Sequence, residues 1–201
     1  MKNLGYRPLP SPTRLAARSL PILRWGYPLY RISVVDRDPI YFGKGSQHRF
    51  DDPRGQYGIL YASTSPEGAF VETCIRDERP GNNRVLFPAF LEQRRLVRIA
   101  WPTPLRLVDL TGPGLSFLDA DGRLMTVGYT VSQKWARALW SHRDSPDGIL
   151  YCSRFNLSLR SIALFDRLRS GARWEDLGSL LAPHNHAFLG QMLDRYGFGL
   201  G

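Results

Sequence analysis

Cysteine is scarce: Cys74 and Cys152 are the two in 201 residues. They stand far apart in apolar surroundings and form no C-x-x-C or Cys/His spacing, so they read as small core residues in a reducing compartment and not as zinc ligands. Long apolar runs are missing as well. None could span a bilayer, and the N-terminus, where Pro8, Pro10, Pro12 and Pro21 are interspersed with arginines, has no continuous apolar stretch of the signal-peptide kind. A soluble, cytoplasmic protein without membrane contact is expected. Blocks of like charge are also absent: Arg7, Arg14, Arg18, Arg24, Arg31 and Arg37 stand singly. The net charge of +9, from 27 basic and 18 acidic side chains, therefore marks no polybasic tail, although it permits an anionic partner. The sequence shows no internal repeat, no G-x-G-x-x-G or Walker spacing and no Ser-His-acid arrangement. His184-Asn185-His186 has no companion that suggests a metal.

What is present is the composition of a globular chain, 43% hydrophobic and 12% aromatic, long enough for one well-buried core. Residues 1–27 read as an N-terminal extension and 28–201 as the domain. Alternation places strands at Pro28–Val35, Ile59–Ala62, Arg84–Phe90, Arg95–Trp101, Leu105–Asp109, Ile149–Ser153 and Ser161–Phe165. Pro88 suggests an edge or bulge in the third of these. Helical spacing marks Thr130–His142, with short helices expected near Trp174–Leu181 and Ala187–Tyr196. Strands outnumber helices without a βαβ rhythm, which favours an α+β domain over a doubly wound sheet.

The chain is organised around Tyr57–Asp77, a strand, a sharp turn and a helix. Ser65 can cap the helix, Pro66 suits its first position, and Glu67 complements the dipole. Phe70, Val71, Cys74 and Ile75 then share an apolar face, and Glu72 falls outside it, between Ala69 and Arg76. Taken alone, Glu72 is a solvated helix carboxylate, Arg31 a strand cation with an acidic neighbour, Tyr61 a core aromatic and Ser153 a strand-end turn residue. His48, His142, His184 and His186 read as surface residues. A Gly/Ser loop between Phe42 and Gln56, with Lys44, Ser46, His48 and Arg49, offers close backbone approach and donors that suit phosphate.

Taken in order, Leu29-Tyr30-Arg31-Ile32, Gly45-Ser46-Gln47-His48-Arg49-Phe50, Ile59-Leu60-Tyr61-Ala62-Ser63 with Ala69-Phe70-Val71-Glu72, Asp147-Gly148-Ile149-Leu150-Tyr151-Cys152-Ser153 and Ser161-Ile162-Ala163-Leu164-Phe165-Asp166 resemble the blocks of the RES-domain family. The resemblance spans roughly Pro28–Leu168. It implies a fold similar to ADP-ribosyltransferase toxins and an activity that consumes NAD, as substrate and not as cofactor, by breaking its nicotinamide–ribose bond. It also implies a partner, an Xre-type antitoxin. By motif, Arg31 and Arg49 are the expected substrate-binding arginines, Tyr61 the pocket aromatic, Glu72 the catalytic carboxylate and Ser153 a hydrogen-bonding orienter. Cys152 stands where the family often has proline. The same site could serve a protein ADP-ribosyltransferase. A nucleic-acid-binding module or ribonuclease, suggested by the charge and five tryptophans, lacks an RNP motif, a helix-turn-helix and an acid/base histidine pair.

Overall fold

Successive residues of each central strand point to opposite faces of one large sheet, and because both faces are covered these strands are buried almost end to end. The structure is a computed structural model that describes residues 11–76, 84–126 and 128–201. The first ten residues of the expected extension, and Asp77 at the end of the organising stretch, lie outside that range. In chain order the strands are Ile22–Trp25 (β1), Leu29–Val34 (β2), Ile59–Ser63 (β3), Val85–Leu86 (β4), Arg94–Ala100 (β5), Leu105–Leu110 (β6), Gly148–Cys152 (β7), Arg160–Phe165 (β8), Arg173–Ser179 (β9) and Gly199–Leu200 (β10). The α-helices are Pro66–Phe70 (α1), Pro88–Glu92 (α2), Gly112–Phe117 (α3), Arg123–Thr126 (α4), Tyr129–Trp140 (α5) and His186–Tyr196 (α6).

The sheet runs β1-β6-β7-β8-β3-β2-β5-β9, while β4 and β10 form a small parallel pair. Within the large sheet only β6 and β7 are parallel neighbours. Ile59 and Ile149 face one way, toward Trp135 and Leu139 of α5. Leu60 and Leu150, one residue on, face the other, with Leu29, Val97 and Ile162. A third cluster packs Phe70 and Cys74 with Leu189 and Met192 of α6 against Ile32 and Leu96. Each fully buried leucine in these layers contributes roughly 1.5–3 kcal/mol through apolar area removed from water. This is an α+β architecture, a large mixed sheet with flanking helices.

Several expectations are corrected. Residues before Pro28 are not a mere appendage: β1 pairs with β6, and Leu15 and Leu20 enter the first core cluster. His142 is buried, not exposed, because it fastens that segment. Its Nε2 faces the carbonyls of Leu15 and Arg18, each at 3.1 Å, so Nε2 carries the proton, and Nδ1 accepts from Asp144 N–H at 3.1 Å. Of the strand expected at Arg84–Phe90 only β4 forms. Pro88 instead begins α2, where its missing N–H costs nothing. Trp174–Leu181 holds most of β9 instead of a helix. Its exposed side chains pair across to β5 through Arg98–Glu175 at 2.8 Å and Arg95–Asp176 at 3.0 Å, and the Arg95 guanidinium lies 4.7 Å from the centre of the Trp174 ring. One crossover of the βαβ kind does occur, from β6 through α3 to α5 into parallel β7.

The loop before β3 is held by Asp52, whose side chain is fully buried. It accepts from Gln56 N–H at 2.7 Å and Arg54 N–H at 3.2 Å, and it pairs with Arg137 of α5. Burial pushes the Asp52 carboxyl up, but the hydrogen bonds from Arg137, Gln56 and Arg54 outweigh it and hold the group below its ordinary range. Glu67 is depressed in the same way: burial raises it, and Arg195 and Tyr196 more than offset that. A carboxyl with a folded pKa below its unfolded one adds stability above the unfolded pKa and loses it as pH falls through the folded value. The melting temperature should therefore hold from neutral pH to about 5 and drop steadily below about 4, as checked by calorimetry across pH.

Candidate active site

The turn into α1 is built as its residues dictate. Ser65 Oγ accepts from Gly68 N–H at 3.1 Å, and Pro66 occupies the first turn. Gly68 is required for a second reason: a Cβ there would lie 1.8 Å from Ser63 Oγ, so only glycine lets the helix close onto β3. Beyond Phe70 the helix widens into a π turn, Val71–Ile75, a local irregularity frequent at functional sites. Phe70, Val71 and Cys74 are buried, whereas Ala69, Glu72, Thr73 and Arg76 face a cleft.

The cleft exists because the sheet parts beside it. β3 makes five residue pairs with β8 but only one, Tyr30↔Ser63, with β2. The opening, about 190 Å³, takes Tyr30, Arg31 and Ile32 from β2 and Tyr61, Ala62 and Ser63 from β3. Glu72 closes one side, and Arg49, Tyr129, Tyr151, Cys152, Arg154 and Phe155 close others. Among the described lining residues Glu72 is the one carboxylate, set against Arg31, Arg49, Arg76 and Arg154.

Each predicted residue now has a place. Arg31 is half-buried, and its Nη1 donates to the carbonyls of Pro39 at 3.1 Å and Tyr41 at 3.3 Å. Burial lowers its pKa, with Asp38 opposing. Arg49, 9% exposed, donates to Leu124 carbonyl at 3.2 Å and lies 5.1 Å over the Tyr129 ring. Burial and then the neighbouring Arg154 charge lower its pKa, while Tyr129, Tyr151 and Glu72 act in the opposite direction. Arg31 and Arg49 both line the cleft, where guanidinium groups suit the two-point binding of an anion. Tyr61 lines the cleft with its hydroxyl locked: it donates to Asp51 at 3.0 Å and accepts from Phe50 N–H at 2.9 Å. Burial, then Asp51, raise its pKa well above the phenol value.

Glu72 Oε1 accepts a long hydrogen bond, 3.5 Å, from Ser161 Oγ. Ser161 also bonds Tyr151, whose pKa is pushed up by burial and then by the Glu72 charge. Ser153 is not among the residues lining the cleft. Fully buried, its Oγ accepts from Phe155 N–H at 3.2 Å and so shapes the turn that presents Arg154 and Phe155. A second hollow of about 230 Å³ adjoins the cleft, shares Arg31, His48 and Tyr61 with it, and is edged by Gly43 and Gly45. Sequence reasoning missed Arg76, Tyr129, Tyr151, Arg154 and Ser161. The helical spacing that singled out Glu72 also pointed to Arg76, four residues on. Among the described residues no His/Cys/Asp/Glu group could hold a metal ion, and no helix is long and apolar enough to cross a membrane.

The candidate site is therefore a cleft at a parting of the mixed sheet, where Glu72 on the flanking helix is the one carboxylate among the described lining residues and faces arginines. The RES domain profile matches residues 28–184, and the chain belongs to the RES-domain family. It is 32% identical over 108 residues to "Probable toxin y4kH" of Sinorhizobium fredii, a match covering 52% of this chain and 84% of that protein. In fold it is similar to a chain of the M. tuberculosis MbcT-MbcA toxin-antitoxin complex, with a TM-score of 0.60 and 20% identity over 83% of this chain and 92% of that one. β1 lies outside the family match yet inside the sheet.

Proposed function

We propose that this chain is the toxin of a toxin–antitoxin pair and that it cleaves the nicotinamide–ribose bond of NAD, by hydrolysis or phosphorolysis. The observation that carries the reading is that, among the described lining residues, Glu72 is the one carboxylate and the other charged walls of the cleft are arginines. Nicotinamide leaves as a neutral molecule, so its departure needs no proton. The C1′–N bond breaks with its electron pair on the nicotinamide nitrogen, and an oxygen of water or phosphate bonds C1′. One carboxylate suffices to stabilise the positive charge that develops on the ribose, unlike the carboxylate pair of ordinary glycosidases. Arg31 and Arg49 hold the pyrophosphate, Tyr61 and Tyr129 form aromatic walls, and Ser153 acts through the turn it shapes. The protein named as a toxin and the toxin-antitoxin complex described above support the biological role. An Xre-type antitoxin carrying an acidic or C-terminal carboxylate segment fits over the arginines by charge-assisted hydrogen bonds. NAD of the cytoplasm is then the substrate.

Incubating the purified protein with NAD, with and without phosphate, and identifying the products tests the reaction. Free nicotinamide is expected, with ADP-ribose or its 1″-phosphate. Intact NAD would overturn the reading, and ADP-ribosylated protein would redirect it to a transferase. Replacing Arg49 by lysine keeps the charge and loses the planar two-point fork. Its KM for NAD should rise about tenfold with kcat within about threefold. A normal KM with collapsed kcat would move Arg49 from holding the pyrophosphate to acting on the reacting centre.

A further inference from the structure

Two walls of the cleft are joined by a side chain that lines neither. Tyr196 stands at the C-terminal end of α6, beyond the residues the family profile matches. Its hydroxyl donates to Glu67 Oε1 at 2.8 Å and accepts from Asn156 Nδ2 at 3.0 Å. Glu67 lies in the first turn of α1, five residues before Glu72. Asn156 follows Arg154 and Phe155 in the loop between β7 and β8, and it organises that loop. Its Oδ1 accepts from Ser158 N–H at 3.1 Å and Ser158 Oγ at 2.6 Å, and its carbonyl accepts from Leu159 N–H at 3.0 Å. One hydroxyl therefore touches the helix that carries Glu72, Thr73 and Arg76 and the loop that carries Arg154 and Phe155.

We propose that Tyr196 is a positioning residue, whose hydroxyl fixes the separation of the Glu72 helix and the Arg154–Phe155 loop and thereby the width of the cleft between them. The helix that presents it is anchored independently. Leu189 and Met192 are buried in the third core cluster, the Tyr196 ring packs against that cluster, and Gly197, at φ 65°, closes the helix in the left-handed conformation. Removing the hydroxyl alone leaves that anchorage in place. The nearby Arg195–Glu67 pair, at 2.9 Å, reaches only the helix wall, and Arg195 is 61% exposed. Exposed pairs of this kind contribute little to stability. The ion pair thus provides a control: it shares Glu67 with the tyrosine but has no bond to the loop.

The kinetic consequence rests on the cleft being the NAD site; the structural one does not. In Tyr196→Phe the KM for NAD should rise about tenfold while kcat stays within about threefold and the melting temperature moves by no more than about 4 °C. Amide hydrogen exchange at Phe155, Ser158 and Leu159 should accelerate at least about tenfold, since their bonds to Ser153 and Asn156 are no longer braced. Arg195→Ala should change KM and loop exchange by less than about twofold. A residue that merely stabilises the fold would lower the melting temperature and the active fraction without moving KM. An unchanged KM, unchanged loop exchange, or an Arg195→Ala variant that reproduces the tyrosine effect would each overturn the proposal. If the wild-type protein consumes no NAD, the functional reading fails, and the exchange measurement alone decides whether the hydroxyl joins the two walls.

Discussion

Replacing Glu72 by alanine is expected to lower NAD turnover by about 10²–10³-fold, the scale on which a single preorganised electrostatic group acts in an active site. The same change should leave the fold nearly untouched. Glu72 sits on the cleft side of its helix, its one described hydrogen bond is the 3.5 Å contact from Ser161, and the packing of that segment is made by Phe70, Val71 and Cys74. Glu72→Gln retains the shape and removes the charge. It should depress kcat far more than it changes KM, because the carboxylate interacts most strongly when positive charge has developed on the ribose. Turnover with each variant, beside a thermal melt, checks both halves. Wild-type kcat in folded Glu72→Ala would remove this residue from the chemistry.

The largest loss of stability from a single polar substitution is expected at Asp52. Asp52→Ala removes a buried carboxylate that receives two backbone N–H groups and a guanidinium. Breaking a buried pair on one side costs about 3–5 kcal/mol. Arg137 retains 26% side-chain exposure and can regain water, which puts the expected loss near the lower bound, about 3 kcal/mol. Urea denaturation read as a shift in midpoint at constant slope measures it. The double variant Asp52→Ala/Arg137→Met should recover part of the loss, since no unpaired cation then faces the loop. If Asp52→Ala costs under about 1 kcal/mol, the pair contributes no more than a surface salt bridge.

The local signals of the chain were legible where one physical reading dominates. Ser65 and Pro66 mark a helix start and make it, and alternation through Leu29–Val34 and Ile59–Ser63 produces strands in the places expected. Pro88 failed as a guide because proline suits both an edge strand and the first turn of a helix, and tertiary packing of Leu91 selects the helix. Trp174 and its charged neighbours lack a burial pattern, since their strand is fixed by cross-strand pairs to Arg95 and Arg98, about 80 residues away in sequence. The family blocks led to Arg31, Arg49, Tyr61 and Glu72, and the structure brings these to one cleft. Arg154 and Tyr129 could not be found in that way. Their place depends on how β7 and α5 meet the parted edge of β3, which is a property of long-range pairing and not of spacing.

The pairing of β3 with β8 also sets a clock. The strand that carries Tyr61 must wait for residues about 100 positions downstream before it gains its full partner. At about 5–20 residues per second of synthesis, that delay is about 5–20 s. Until then β3 has at hand the single rung to β2 and the bridge from Ile59 to Gly43, and for most of that interval neither Tyr151 nor Arg154 has been made. A nascent chain therefore carries Arg31, Arg49 and Glu72 for many seconds without the cleft that unites them. Any activity at this site begins only once the segment that carries β7, Arg154 and β8 has been made and has paired with β3.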